Sequence, residues 1–345
     1  MNILYASDDN YAELAGVSVL SLFENNKNVE EINIFILDSG ISEVNKHNIS
    51  SIAQAYDRKV SFLNNFDVEK SAGQKLSVSS RWSVTAYARL FLSKLLPEKI
   101  KKIIYIDCDT LILGSLLPLW NENVDDYVLG GVLVARKSIS MKTYAMKKTE
   151  KWINTGVLLI NMELWRKTNI EDKFVDFINL YCGNLISVDE SVINGVLNGR
   201  IKPIKMKYNY MGLASRYFMR RTMVKRHYTQ TDYDEAVKEP VIVHFMGSWM
   251  PRPWIDGDNN PVFQERYMEY RGQSPWGGSP LRKGRKKRGL KLTASQVLKA
   301  LPEPVYFIYL DIRRNFNKKH FLYYLYARKC LRKSDIKLDD CRLGR

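Results

Sequence analysis

Short apolar runs alternating with amphipathic stretches limit the folds open to this chain more than any other feature. "NILYA" (residues 2–6), "EINIFILDSG" (31–40) and "KVSFLN" (59–64) read as strands. Between them, "YAELAGVSVLSLFENN" places Leu14, Val17, Leu20 and Leu22 or Phe23 at helical spacing, and "SEVNKHNISSIAQAYDR" reads as a helix capped by Ser42. Strand and helix in regular alternation predict an α/β fold with a parallel sheet. The pattern continues with a helix over "SVTAYARLFLSKLLP" that stops at Pro97 and, within "KKIIYIDCDTLIL" (101–113), a strand over Ile103-Ile104-Tyr105-Ile106 that ends on Asp107 and Asp109. "YVLGGVLVA" is a further strand, "TGVLLINMELW" a strand running into a helix, "DESVINGVLNG" a helix ending at Gly199, and "EPVIVHFMG" a last strand carrying His244. The chain has no internal repeat, no G-x-G-x-x-G and no G-K-[ST] phosphate loop.

Ligands of parallel sheets collect beyond the carboxyl ends of the strands, so the residues there deserve the closest reading. Three groups fall at such ends: Asp8 to Tyr11, Asp107-Cys108-Asp109, and His244 with Gly247. In a regular strand Asp107 and Asp109 project to one face, which brings two negative charges together unless a cation lies between them. Asp8 or Asn10 can equally cap a helix, and His244 can be a satisfied buried imidazole. Taken together, two carboxylates and one imidazole make a sensible set for Mn²⁺, with Mg²⁺ as the other hard cation.

The 345 residues suffice for a sizeable core and an appendage. The four cysteines (108, 182, 330 and 341) form neither a disulfide framework nor a zinc spacing, so free thiols in a reducing compartment are expected. No apolar stretch is long enough to span a bilayer, and "MNILYASDDN" has no signal-peptide character, which predicts a cytoplasmic protein. The net charge of +16 is unevenly placed: residues 281–345 hold 19 Lys and Arg against 5 Asp and Glu, leaving 34 against 32 for residues 1–280. A linker-like "RGQSPWGGSPLRKGRKKRG" separates the two parts, so a catalytic domain over 1–275 and a basic, aromatic-rich tail over 276–345 are expected.

"YASDDNYAELAGVSVLSL", "SVTAYARLFL", "IIYIDCDTLILGSLLPLW", "INTGVLLINMELWR", "VDESVING" and "HFMGSWMPRPW" together resemble glycosyltransferase family eight, in particular its bacterial lipooligosaccharide α-galactosyltransferases and lipopolysaccharide glucosyltransferases. The resemblance covers roughly residues 1 to 255. It implies a GT-A type domain that transfers galactose or glucose, with retention, from UDP-galactose or UDP-glucose to a glycan or lipid-linked glycan. It further implies that Asp107, Asp109 and His244 bind Mn²⁺, and that Cys108 meets the ribose through its backbone. Ala6, Asp8, Asn10 and Tyr11 would hold the uridine, with Tyr11 stacked on the uracil. Arg89, Asn154 and Asp189 would reach the donor sugar and diphosphate. Two positions depart from the family pattern. Glu190 stands where the galactosyltransferases usually have glutamine, and is either a nucleophile or an electrostatic stabiliser. In "HFMGSWMPRPW", Met250 replaces the diphosphate-binding lysine that follows Gly247, and Arg252 is the candidate substitute cation.

In the tail, "PEPVYFIYLDIRRNFNKKHFLYYLYARKCLRKS" interleaves apolar residues with Lys and Arg. That composition suits an anionic membrane surface, which would make the protein peripheral at the inner face of the plasma membrane. A helical extension packed on the catalytic domain is the alternative, and nucleic acid ranks third because no RNA or DNA module is recognisable. Two other function classes compete. One is a haloacid dehalogenase-like phosphohydrolase, whose Asp-x-Asp-x-Thr register fails because Thr110 follows Asp109 directly. The other is a non-catalytic membrane or polyanion binder.

Overall fold

A computed structural model describes residues 1–63, 85–135, 138–147, 150–212, 227–246, 250–257, 262–284 and 318–343, together with Val224 and Val305. Its strands are β1 (Asn2–Ser7), β2 (Asn33–Asp38), β3 (Lys59–Leu63) and β4 (Lys102–Ile106), then β5 (Thr110–Ile112), β6 (Leu129–Leu133), β7 (Ile153–Asn161) and β8 (Ile201–Ile204). Three short ones follow: β9 (Ile242–His244), β10 (Ile255–Asp256) and β11 (Arg282–Lys283). The central sheet has seven strands in the order β3-β2-β1-β4-β7-β6-β8. Neighbours pair parallel except where β7 lies antiparallel to both β4 and β6. The fold is therefore the α/β, mostly parallel architecture that the sequence predicts.

The central strands are apolar because they separate two cores. Along β4, Ile104 and Ile106 enter one core and Ile103 and Tyr105 the other; along β7, Val157 and Leu159 are divided in the same way from Leu158 and Ile160. The Ala12–Glu24 helix is buried from Leu14 to Phe23. Its polar positions are satisfied inside: Ser18 bonds Tyr5 and Thr110, and Ser21 accepts the Ile112 N–H. Gly16 is required on this helix, since a Cβ there would lie 2.3 Å from the Trp276 ring. Packing on the body continues past residue 275 through Trp276, through β11 on β10, and through buried Arg271, which donates to Glu13 at 2.7 Å and to the Ser279 carbonyl at 2.8 Å.

The helix expected over 83–97 is a single turn, Thr85–Ala88, residues 83 and 84 lying outside the described part. Leu90, Phe91 and Leu92 all bury in one core, whereas successive helical residues point to different sides, and turns replace the helix from Leu90 on.

The chain end returns to the body. In the Lys318–Lys333 helix, Ala327 and Cys330 are buried, and Cys341 beyond it is fully so. The Leu343 N–H donates to the Val196 carbonyl at 3.0 Å, and Arg342 donates to the Tyr144 carbonyl at 3.0 Å. Phe321, Leu322, Leu325 and Tyr326 of the same helix face outward at 55, 62, 48 and 46% exposure. Among the described residues no helix is long and apolar enough to cross a membrane, and the four cysteines are free thiols.

Candidate active site

The two carboxylates do not lie within a strand, as the i, i+2 argument assumed. β4 stops at Ile106 and β5 begins at Thr110, so Asp107 and Asp109 sit in the link, which the Thr110 hydroxyl pins by donating to the Asp107 carbonyl at 2.8 Å. The link meets His244 because β5 pairs antiparallel with β9 in a separate two-stranded sheet, with Thr110 opposite His244 and the Phe245 N–H donating to the Asp109 carbonyl at 2.9 Å. His244 Nε2 lies 3.2 Å from Asp109 Oδ1 and 3.7 Å from Asp107 Oδ2. The three ligand atoms fall within 4.8 Å of one another, a mixed oxygen and nitrogen donor set of the kind a hard divalent cation accepts.

Sequence reasoning missed the residue that makes this convergence possible. The Asp107 N–H donates to the Gly156 carbonyl at 2.8 Å, and a Cβ at Gly156 would stand 2.2 Å from the His244 ring and 2.9 Å from Asp107 Oδ2. A glycine inside an otherwise apolar strand marks just such a close approach, and that signal was present in "INTGVLL".

Arg89 joins the first carboxylate to a second element. Its Nη1 lies 2.9 Å from Asp107 Oδ1 and 3.4 Å from Asp189 Oδ2, and its guanidinium stacks 4.3 Å from the Tyr105 ring centre. Tyr105 donates to Asp107 Oδ1 at 2.7 Å, and Thr155 donates to Asp189 Oδ2 at 2.8 Å. Burial opposes the charge on Arg89, yet Asp107, Tyr105 and Asp189 outweigh it and hold the guanidinium above its usual range. Burial raises Asp189, with Arg89 pulling the other way. Burial works against charge at both Asp109 and His244 as well, but their mutual attraction prevails, lowering the carboxyl and raising the imidazole.

The remaining predicted residues fall around this centre. Asp8 caps the turn Asp9–Tyr11, its Oδ1 accepting the Tyr11 N–H at 3.0 Å, and the Asn10 carbonyl accepts from Arg282 at 2.6 Å. Tyr11 is 43% exposed, and partial burial of its hydroxyl, then the Asp109 charge, raises that group against the opposing field of Arg252. Arg252 also helps lower Asp109, so its charge is felt at both Asp109 and Tyr11. Cys108 turns its thiol inward to the Ala6 carbonyl at 3.1 Å, and burial followed by the two flanking carboxylates pushes that thiol far up, leaving it inert. Asn154 and Glu190 are buried and bonded to each other at 3.0 Å. Gly247 lies outside the described residues.

The family model described as "Glycosyl transferase family 8" matches residues 2–257. General stress protein A of Bacillus subtilis is 29% identical over 284 residues, 80% of this chain and 94% of that protein. A lipopolysaccharide 1,2-glucosyltransferase of Escherichia coli is 25% identical over 83% of this chain and 82% of its own. Among solved structures, galactosyltransferase LgtC in complex with donor and acceptor sugar analogs superposes with a TM-score of 0.67 at 26% identity, covering 85% of this chain and 99% of LgtC. That likeness identifies the fold as the GT-A type, and the phosphohydrolase alternative falls with it. A carboxylate link at the end of a parallel strand, an imidazole brought to it by a short second sheet, and a match spanning nearly all of the body lead to one assignment: the chain belongs to glycosyl transferase family 8.

Proposed function

We propose that the protein is a retaining hexosyltransferase that moves galactose or glucose from its UDP-sugar to a hydroxyl of a surface glycan of the lipopolysaccharide type. The observation that carries this reading is the convergence of Asp107, Asp109 and His244 within 4.8 Å, beside Arg89. These three would hold Mn²⁺, or Mg²⁺, and the ion when bound would neutralise the charge that collects on the departing diphosphate. Arg252 takes the place of the family lysine on the diphosphate, a role supported by its charge being felt at both Asp109 and Tyr11.

Tyr11 offers an exposed ring for the uracil, while Ala6, Asp8 and Asn10 line the uridine side. Cys108, its thiol turned away, meets the ribose by its backbone. On the sugar side stand Arg89, Asp189 and Asn154, the first two already tied into one network with Thr155. Such prior bracing suits a front-side retaining mechanism, in which the leaving phosphate oxygen takes the acceptor proton and the protein chiefly positions the reactants. Glu190 acts electrostatically in this scheme, because both of its oxygens accept buried hydrogen bonds, from Trp152 and Asn154, and neither is poised for attack. Gly247 is retained as a donor-side position by family likeness.

Residues 1–275 supply the catalytic part, with 276–284 packed on it, and the tail is the membrane element. The exposed apolar row of the Lys318–Lys333 helix is flanked by exposed Arg328, Lys329, Arg332 and Lys333, a pairing that fits an anionic cytoplasmic leaflet.

Incubating the protein with a panel of UDP-sugars and Mn²⁺ tests the reading. UDP release from UDP-galactose or UDP-glucose, abolished by chelator and by Asp109→Asn, is expected. Uridine diphosphate binding that ignores chelator would sink it.

A further inference from the structure

Glu190 and His244 lie on different elements, yet an unbroken chain of buried amides connects them. Trp152 Nε1 donates to Glu190 Oε1 at 2.9 Å, and Asn154 Nδ2 donates to Glu190 Oε2 at 3.0 Å. Asn154 Oδ1 accepts from the Gly156 N–H at 3.0 Å and from Asn209 Nδ2 at 2.8 Å. Asn209 Oδ1 then faces His244 Nδ1 at 3.0 Å. Glu190, Asn154, Asn209 and His244 are 8, 5, 0 and 3% exposed, so the path is buried along its whole length.

The chain has a direction, and its two ends set it. A carboxylate bonded at both oxygens only accepts, so Asn154 must turn its amide nitrogen toward Glu190. The Gly156 N–H imposes the same choice independently, because only the Asn154 oxygen can accept it. Asn209 must then donate to Asn154, which leaves its oxygen against the imidazole. Nδ1 of His244 consequently carries a proton whatever the state of Nε2, and Nε2 is the nitrogen that faces Asp107 and Asp109, where a bound cation would displace any proton it carries.

We infer that Asn209, aimed by Asn154 and Glu190, is the positioning residue that holds His244 in the Nδ1–H tautomer with Nε2 open to a cation. Glu190 thus acts on the metal corner through three side chains without touching it. The inference deepens the proposed function and rests on His244 being a ligand there.

The test is a nitrogen spectrum of histidine-labelled protein in mildly alkaline buffer, together with Mn²⁺ titration followed by electron paramagnetic resonance. The unmodified protein should show a protonated Nδ1 at His244 with or without cation; an unprotonated Nδ1 overturns the inference without any variant. Asn209→Leu should weaken Mn²⁺ uptake about 10- to 100-fold, the usual cost of losing an outer partner of a ligand, and release the Nε2–H tautomer. Asn209→Asp, which keeps an oxygen on Nδ1, should restore the original tautomer. Glu190→Gln, which cannot accept from both Trp152 and Asn154, should loosen Mn²⁺ by a smaller factor than Asn209→Leu. Unchanged Mn²⁺ affinity and tautomer in Asn209→Leu would refute the role. If the unmodified protein takes up no Mn²⁺, the donor reading fails, while the nitrogen spectrum still decides the tautomer.

Discussion

The centre of the molecule and its C-terminal helix break the ordinary rule of burial in opposite senses. At the centre, charged and polar side chains (Asp109, Asp189, Arg89, Glu190, His244) are drawn into a largely enclosed place. On the Lys318–Lys333 helix, four large apolar side chains are left outside. A buried polar group or an exposed apolar patch is informative because each costs free energy unless something covers or pairs it. On the proposed function the two regions take different occupants, a cation with its anionic ligand at one and a lipid surface at the other.

A third site calibrates that contrast. Arg271 is 2% exposed but complete within the protein, bonded to Glu13 and the Ser279 carbonyl. Arg271→Ala should cost the most stability, about 3–5 kcal/mol, as expected when one partner of a buried pair is removed. Denaturant unfolding would read the loss, and UDP affinity in the remaining folded protein should not change. Asp109→Asn should do the reverse: Mn²⁺-dependent turnover should fall more than about 100-fold, beyond the range for outer partners, with little change in the unfolding midpoint. If Asp109→Asn instead unfolds the protein, the carboxylate belongs with Arg271 as a structural charge and the contrast collapses.

Gly156→Ala falls between these cases, for the added carbon meets the His244 ring and Asp107 at once. A loss of about 1–3 kcal/mol, typical of overpacking, should appear together with weaker Mn²⁺ binding by calorimetry. The smallest effect belongs to the tail. Leu322→Ser and Leu325→Ser should each weaken sedimentation with anionic vesicles by about 1–2 kcal/mol, from the apolar area no longer buried, while thermal stability stays level. Raised stability without any change in vesicle binding would leave that helix face with no lipid to meet.

How far these regions could be read from sequence follows from their physics. The strands were legible because two-sided burial writes continuous apolar runs, and the Ser42 cap and the Ala12–Glu24 helix follow from local chemistry. Asp107, Asp109 and His244 were legible as strand-end residues, but their meeting depends on β5 and β9, each only three residues long. The turn after Ala88 was not legible, since Leu90, Phe91 and Leu92 carry helical propensity and only the shared core overrides it. Asn209 gave no signal, because nothing in "KMKYNYMG" says that its amide will meet an imidazole 35 positions away.

The short β5–β9 ladder also sets an order of events in biosynthesis. Asp107 and Asp109 leave the ribosome long before His244, and the Phe245 N–H that anchors their link emerges later still. A newly made chain can have its first four strands in place and still lack the imidazole. On the proposed function, the three ligands for a cation are complete only after most of the polypeptide has been translated.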